Sequence, residues 1–377
     1  MSALDGATVA DVLEPADAEA VAATLRSQGE AGGSVVPLGA GRHLALGNPP
    51  ERVDAFLSTR NLAGIETFLP GEGVCRAGAG TTLGELRRAA ADADMEIPLD
   101  GPDAATLGGA LAAASVGPRS HVWGRARDAV LGLDVALASG ELSRCGGRVV
   151  KNVTGYDLAK LYTGSHGSLG VITAAWLRLR PRPETTQVRR RAFDDAESAL
   201  AAGARAARDA TLRACVLVLG EDRSLAVAEW GGDGAAVAAD AGSFGGEAVE
   251  GALLDELAER QWSDSCALRV RVAALATELG AVSAPLCAAG GRVLVHPGTG
   301  LVYASFDDAS WQEGEQAALR AAASASGPLR FEVAPLELKR RRCVFGAPDA
   351  EVALFRSLKQ RFDPDGALSR GRFAGRL

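Results

Sequence analysis

The stretch that most constrains this chain is Gly164-Ser165-His166-Gly167-Ser168-Leu169-Gly170, which runs straight into Val171-Ile172-Thr173. Glycines three apart, followed at once by a β-branched strand start, mark backbone that must pass close to something flat or anionic, because only glycine leaves that surface bare. The run Lys151-Asn152-Val153-Thr154-Gly155-Tyr156-Asp157-Leu158 lies just ahead of it. The pattern points to a bound cofactor.

Two common nucleotide sites are excluded by spacing. A Rossmann fingerprint needs G-x-G-x-x-G between strand and helix, and both Gly39-Ala40-Gly41 and Gly78-Ala79-Gly80 lack the third glycine. No G-x-x-x-x-G-K-[ST] loop occurs either. Glycine segments spread over roughly 130 residues suit instead a dinucleotide held between two lobes.

Composition narrows the class further. The chain has 377 residues, 47% of them hydrophobic and 23% charged, as in an ordinary folded protein of about two domains. Its formal charge of −7 argues against the basic footprint of nucleic-acid binding. Two local basic runs, Arg189-Arg190-Arg191 and Lys339-Arg340-Arg341-Arg342, read as solvated faces, strand edges or docking points for a partner. Six cysteines stand at wide, irregular spacings with no C-x-x-C pair, which reads as incidental thiols in a reducing compartment and makes an iron–sulfur cluster within the chain improbable. No apolar run reaches transmembrane length, so a cytoplasmic location is expected, with any contact to the inner face of the membrane made through partners.

Periodicity predicts a helix over 16–28, short strands over 34–38, 55–58 and 73–78, and a helix over 82–93. Thr106-Leu107-Gly108-Gly109 opens a further helix, whose free N–H groups and dipole would favour a phosphate. Strands follow over 129–138 and 170–180, and Pro181-Arg182-Pro183 marks a domain boundary near residue 184. The second half alternates helices (194–208, 253–261, 309–324) with strands (214–219, 225–229, 268–272, 292–295, 301–306), predicting a small antiparallel sheet with packed helices. Gly231-Gly232-Asp233-Gly234 reads as a loop.

The glycine segments, taken in order, resemble the vanillyl-alcohol oxidase and p-cresol methylhydroxylase (PCMH-type) family of FAD proteins. Pro37-Leu38-Gly39-Ala40-Gly41-Arg42-His43 is similar to that family's pyrophosphate loop, and Ala77 to Leu86 to its A-G-x-G-x-x-L-x-E-L segment. Asp100-Gly101-Pro102-Asp103-Ala104-Ala105-Thr106-Leu107-Gly108-Gly109 resembles the T-[IL]-G-G segment beside the flavin, and Gly124 to Leu133 the G-x-x-R-D-x-V-L-G segment. The run Arg148 to Leu158 and the tail Phe362-Asp363-Pro364-Asp365-Gly366-Ala367-Leu368-Ser369-Arg370-Gly371-Arg372 resemble the glycolate oxidase flavin subunits, with Ser369-Arg370 in place of Asn-Pro. The resemblance implies an α+β chain: a two-lobed FAD-binding domain over 1–184, a smaller α+β cap domain with an antiparallel sheet over 185–335, and a segment over 336–377 that packs back towards the FAD domain.

It also implies roles. Backbone N–H groups of Gly39, Ala40, Gly41, Arg42 and His43, behind Pro37, would bind the pyrophosphate of a non-covalent FAD, with Arg42 adding charge. Pro102, Asp103, Thr106, Leu107, Gly108 and Gly109 would lie along the cofactor, as would Gly167, Gly170, Val171 and Ile172. Lys151, Gly155, Tyr156 and Asp157 are expected near the flavin, where Lys151 would stabilise its anionic reduced form. Some relatives tether flavin through a histidine in the first loop, so His43 is a position for such attachment, although the flavin subunits resembled here do not need it. His166 reads as a loop histidine bonded to backbone.

The substrate side departs from the pattern. Members that oxidise 2-hydroxy acids with a metal carry H-x-G-D-G-N-x-H in the second domain, whereas here the sequence is His296-Pro297-Gly298-Thr299-Gly300-Leu301-Val302-Tyr303. With four histidines in the chain, no metal set is expected, and no catalytic base can be nominated. Two readings follow from the resemblance. In one, the chain is an FAD subunit of a glycolate oxidase that works with a homologous FAD subunit and an iron–sulfur subunit on a small 2-hydroxy acid. In the other, it is a self-sufficient FAD-dependent oxidoreductase of a small hydroxy acid or alcohol.

Overall fold

The computed structural model describes residues 2–9, 11–148, 157–220, 223–262 and 265–377. It divides into two compact units: Met1–Val116, Arg125–Arg182 and Leu336–Leu377 form the first, and Gly117–Gly124 with Pro183–Pro335 the second.

The first unit has two lobes. One is a parallel three-stranded sheet in the order Asp11–Leu13, Ala55–Ser58, Val35–Leu38. The helix Ala18–Glu30 belongs to this lobe; the Asp17 carboxylate caps it by accepting from the Ala20 N–H at 2.7 Å, and its Val21, Ala22 and Leu25 are buried with Val35, Ala55 and Leu57. The other lobe is an antiparallel five-stranded sheet in the order Leu142–Gly146, Val130–Ala136, Val171–Arg178, Val74–Gly78, Ile65–Leu69. Against it pack the helices Leu83–Ala91 and Leu107–Ala112, whose Leu83, Leu86, Leu107 and Leu111 are buried in one core with Leu133 and Leu177. Thr82 and Glu85 close a reciprocal capping box at the first of these helices. The A-G-x-G segment has a packing cause: a Cβ on Gly78 would overlap the Leu62 carbonyl.

The unit also opens with a hairpin that the sequence reading missed, Ser2–Leu4 paired with Ala7–Val9. Its turn is Asp5-Gly6, with φ +48° and +84°, the left-handed pair that a two-residue hairpin loop needs.

The second unit is built on an antiparallel sheet of eight strands, larger than the small sheet expected. Its order is Glu247–Val249, Thr185–Phe193, Ser224–Gly232, Leu212–Leu219, Arg292–His296, Leu301–Phe306, Leu268–Ala273, Leu329–Val333. The strand Thr185–Phe193 was hidden by its basic run. Arg190 pairs with Glu247, Arg191 donates to the Phe244 carbonyl and Arg189 to that of Gly246, so the run is bonded within the unit and is no free docking patch. The supposed loop at 231–234 ends a strand and begins the helix Gly234–Phe244, capped by the Asp233 carboxylate. A helix over Leu279–Ala288 was also missed, since Pro285 argues against it. Most unexpected is Gly117–Gly124, which lies inside the first unit's sequence and folds with the second.

Candidate functional site

The first unit contains a cavity, partly open to solvent, formed where three glycine-bearing segments meet. Residues 36–44 and 46 supply one wall, Ala105, Thr106, Gly108, Gly109, Ala112 and Ala113 a second, and His166, Gly167, Gly170, Val171 and Ile172 a third, with Thr59 and Arg372 completing it. Of the residues nominated from sequence, Pro37, Gly39, Ala40, Gly41, Arg42, His43, Thr106, Gly108, Gly109, Gly167, Gly170, Val171 and Ile172 all line it.

Local bonding explains how the walls are held. Gly39 can only be glycine, because a Cβ would overlap the Thr106 hydroxyl, so the first and second walls touch through bare backbone. Gly164 and His166 donate their N–H groups to the carbonyls of Leu111 and Ala112, each at 2.9 Å, which fixes the third wall on the second. The His166 ring packs against Phe345 and Phe373 at centroid distances of 5.0 and 5.8 Å.

The role expected of the Leu107–Ala112 helix start needs correction. Its first N–H groups are not free for a phosphate: Leu107 donates to the Thr81 carbonyl and Gly108 to that of Ala79, both at 2.8 Å, while Gly109 donates to the Thr106 hydroxyl at 3.4 Å. A Cβ on Gly108 would lie 2.8 Å from that of Ala79, so this glycine answers to packing. Among the described residues, the backbone N–H groups of Ala40, Gly41 and Arg42 meet no acceptor in the chain, and Gly41 has φ +77°.

Other nominated residues lie elsewhere. Leu107 is fully buried in the core of the antiparallel lobe. Pro102 is outside the lining, its carbonyl accepting from the Ala105 N–H at 2.9 Å. Asp103 faces solvent and pairs with Arg87 at 2.5 Å. Asp157 is exposed and pairs with Lys160 at 3.1 Å. Lys151, Gly155 and Tyr156 lie outside the described residues.

The sequence reading did not nominate Val36, Leu38, Leu44, Leu46, Thr59, Ala105, Ala112, Ala113, His166 or Arg372 as cofactor residues. Most are apolar neighbours of named glycines; Arg372 comes from the far end of the chain, and its signal was the tail Gly371-Arg372.

The electrostatics of the lining are one-sided. Among the described residues, two arginines and two histidines line the cavity and no carboxylate does, in a chain with a formal charge of −7. Bare loop N–H groups, guanidinium charge and an absence of lining acids suit the diphosphate of a dinucleotide, and the apolar walls from Val36, Leu38, Ala112 and Val171 suit its rings.

The second unit carries its own buried polar residues, and the ion pairs among them are closed within it. Arg119 binds the Glu229 carboxylate at 2.7 Å and Asp255 at 2.6 Å, and Arg213 binds the other Glu229 oxygen at 2.6 Å. Burial alone would raise the Glu229 carboxyl, but the Arg119 and Arg213 guanidiniums outweigh it and hold it below the usual range. His296 is 1% exposed, and burial pushes its imidazole down to about 3, so it is neutral. Neither of its ring nitrogens has a hydrogen-bond partner, and its ring packs on Tyr303 at 5.2 Å. Among the described residues, no group of three His, Cys, Asp or Glu side chains is placed to hold a metal ion. None of the described helices is long and apolar enough to cross a membrane.

Comparison with known proteins fits this geometry. Residues 9–146, under half of the chain, match the FAD binding domain. The chain is 35% identical over 190 residues to the D-lactate dehydrogenase of Archaeoglobus fulgidus, covering 50% of this chain and 43% of that protein. It is 39% identical over 138 residues to the glycolate oxidase subunit GlcE of Escherichia coli, covering 36% and 39%. It is 30% identical over 190 residues to the glycolate oxidase subunit GlcD of Bacillus subtilis, covering 50% and 40%. The match thus spans about two fifths of the length of each of these relatives. An alkyldihydroxyacetonephosphate synthase structure shares the fold, with a TM-score of 0.68 over 95% of this chain and 75% of that one at 15% identity. Residues 9–146 thus match an FAD binding domain, and the chain shares its fold with the synthase, an α+β unit on an antiparallel sheet included.

Proposed function

We propose that this chain is the FAD-carrying subunit of an oxidoreductase that converts a small 2-hydroxy acid, glycolate in the leading case, to the corresponding 2-oxo acid. The observation that carries the reading is the cavity walled by glycine segments, with no carboxylate among its described lining residues, in the unit that holds most of the FAD-binding match. The D-lactate dehydrogenase and glycolate oxidase subunit relatives favour a hydroxy acid as substrate.

FAD held there would accept the two electrons that leave the substrate carbinol. The chain's own residues would do the holding: the loop at 39–43 would take the diphosphate with its N–H groups and Arg42, and the Gly167–Ile172 wall would receive the ring system. Oxidation also needs a base for the hydroxyl proton and a cation for the carboxylate. His296 is buried and neutral, and Arg119 is already matched by Glu229 and Asp255, so neither offers that service. This favours a chain that supports assembly or carries electrons while a homologous FAD subunit meets the substrate and an iron–sulfur subunit relays the electrons.

The test is substrate-dependent flavin bleaching. The isolated chain should bleach slowly with glycolate, D-lactate or D-2-hydroxyglutarate, and faster when combined with a homologous flavin subunit and an iron–sulfur subunit. Robust turnover by the isolated chain with an artificial acceptor would overturn the subunit reading in favour of a self-sufficient oxidoreductase.

A further inference from the structure

Behind the first wall of the cavity lies a group of buried charges that the glycine segments do not include. Lys339 donates from Nζ to the Asp5 carboxylate and to the Ala45 carbonyl, both at 2.7 Å. Arg372 donates to the other Asp5 oxygen at 3.3 Å and, from Nη2, to the carbonyls of Leu44 at 2.8 Å and Leu46 at 3.0 Å. Lys339 and Arg372 are 2% and 6% exposed. Gly47 leaves room for the guanidinium, since a Cβ there would meet Arg372 Nη2 at 2.7 Å. Asp5 is presented by the Asp5-Gly6 turn of the opening hairpin.

Two features of this cluster matter. Its formal charges are two cations against one carboxylate, which leaves one positive charge in a poorly solvated place, and Arg372 itself lines the cavity. Burial draws both Lys339 and Arg372 below their ordinary ranges, with Asp5 working the other way, as expected of a cationic cluster not fully neutralised. The cations also gather three successive carbonyls, those of residues 44 to 46. A loop whose carbonyls are drawn to buried cations cannot turn them towards an anionic ligand, and the N–H groups of residues 40 to 42 are the donors it leaves unused.

We propose that the Asp5–Lys339–Arg372 cluster is the positioning device for the cofactor's diphosphate: it fixes the 39–47 loop with its carbonyls turned away and supplies one uncompensated positive charge to the anion. Arg372 is its central positioning residue. The proposal rests on the FAD reading and adds a part that none of the glycine segments supplies. It also gives the tail a function: residues 336–377 are in the first unit because they carry two of the cluster's three members, and Lys359 fixes the third wall by donating to the Ser168 carbonyl at 2.9 Å.

The experiment titrates the apo chain with FAD and, separately, with ADP as a diphosphate probe without flavin, at low and high salt, for wild type, Arg372→Gln and Arg372→Lys. Salt screens the attraction between a fixed cation and an anionic ligand, so wild-type affinity should fall as salt rises. Arg372→Gln should lose at least tenfold in affinity for both ligands and show a flatter salt dependence. Arg372→Lys should recover to within about threefold of wild type. Wild-type affinity for the glutamine variant, or two variants equally weak with unchanged salt dependence, would overturn the proposal. Should Arg372→Gln not fold, salt-insensitive binding by the wild type overturns it alone. Wild type that binds ADP through Arg372 but not FAD would instead sink the FAD reading and leave the diphosphate device standing.

Discussion

The two units handle buried charge in opposite ways. In the first, Lys339 and the cavity-lining Arg372 share one carboxylate, and among the described residues the cavity lining includes no acid. In the second, the buried ion pairs are closed off by the protein: Glu229 is held by Arg119 and Arg213, Arg271 by Glu332, and His296 is kept neutral. Burying an unbalanced charge costs free energy that a ligand of the opposite sign can offset, whereas a neutralised network gains little from one. A cavity biased towards anions is a place to bind; a sheet whose charges are mutually satisfied is a scaffold.

The sharpest break of that contrast uses neighbouring glycines. Gly108→Asp pushes a carboxylate against Ala79 in a packed core and should destabilise the first unit by about 3 kcal/mol or more. Gly109→Asp meets only the Thr106 hydroxyl at 3.1 Å and lines the cavity, so it should leave urea unfolding within about 1 kcal/mol of wild type. It should still weaken FAD binding, because it puts an acid where none exists. Equal stability losses in the two variants would erase the distinction drawn between a packing glycine and a cavity glycine.

A second prediction concerns the closed network. His296 has a folded-state value depressed to about 3 from the ordinary 6.5, so the folded state binds fewer protons than the unfolded chain below pH 6.5. Its contribution is fully present above that value and is lost as pH falls towards 3. At pH 5 the second unit should be about 2 kcal/mol less stable than at neutral pH on this account. His296→Leu should remove most of that slope, measured by chemical unfolding between pH 7 and 5; an unchanged slope would mean another group carries it.

The smallest effect is expected at the Thr82–Glu85 capping box, where Thr82→Ala should cost about 1 kcal/mol. Because the helix it caps packs against the antiparallel lobe, the loss should appear in unfolding curves and leave FAD affinity nearly unchanged.

Much of this was legible because local chemistry leaves local marks. Apolar periodicity over 16–28 gave the first helix, Ala18–Glu30, and apolar runs gave most strands of the second sheet. Three of the glycine segments singled out in the sequence meet around the cavity. What failed was information that is not local. Gly108 reads as a phosphate glycine, and only the fold shows Ala79 behind it. Arg189–Arg191 reads as a surface patch until its strand pairs with Glu247–Val249. Asp5 stands more than 300 positions from both Lys339 and Arg372, and the three become one cluster only when the tail folds onto the opening hairpin. The Asp5-Gly6 pair was a readable hairpin signal and was overlooked.

The central claim is that the first unit's cavity is built for FAD. It is tested most directly by purifying the chain, recording its visible spectrum, and titrating the stripped protein with FAD while following flavin fluorescence. The account predicts a yellow protein whose flavin is released by mild denaturation, and saturable rebinding at one site per chain that Gly109→Asp weakens. A colourless protein that cannot be reconstituted, or one that binds FAD equally well after Gly109→Asp, would contradict it.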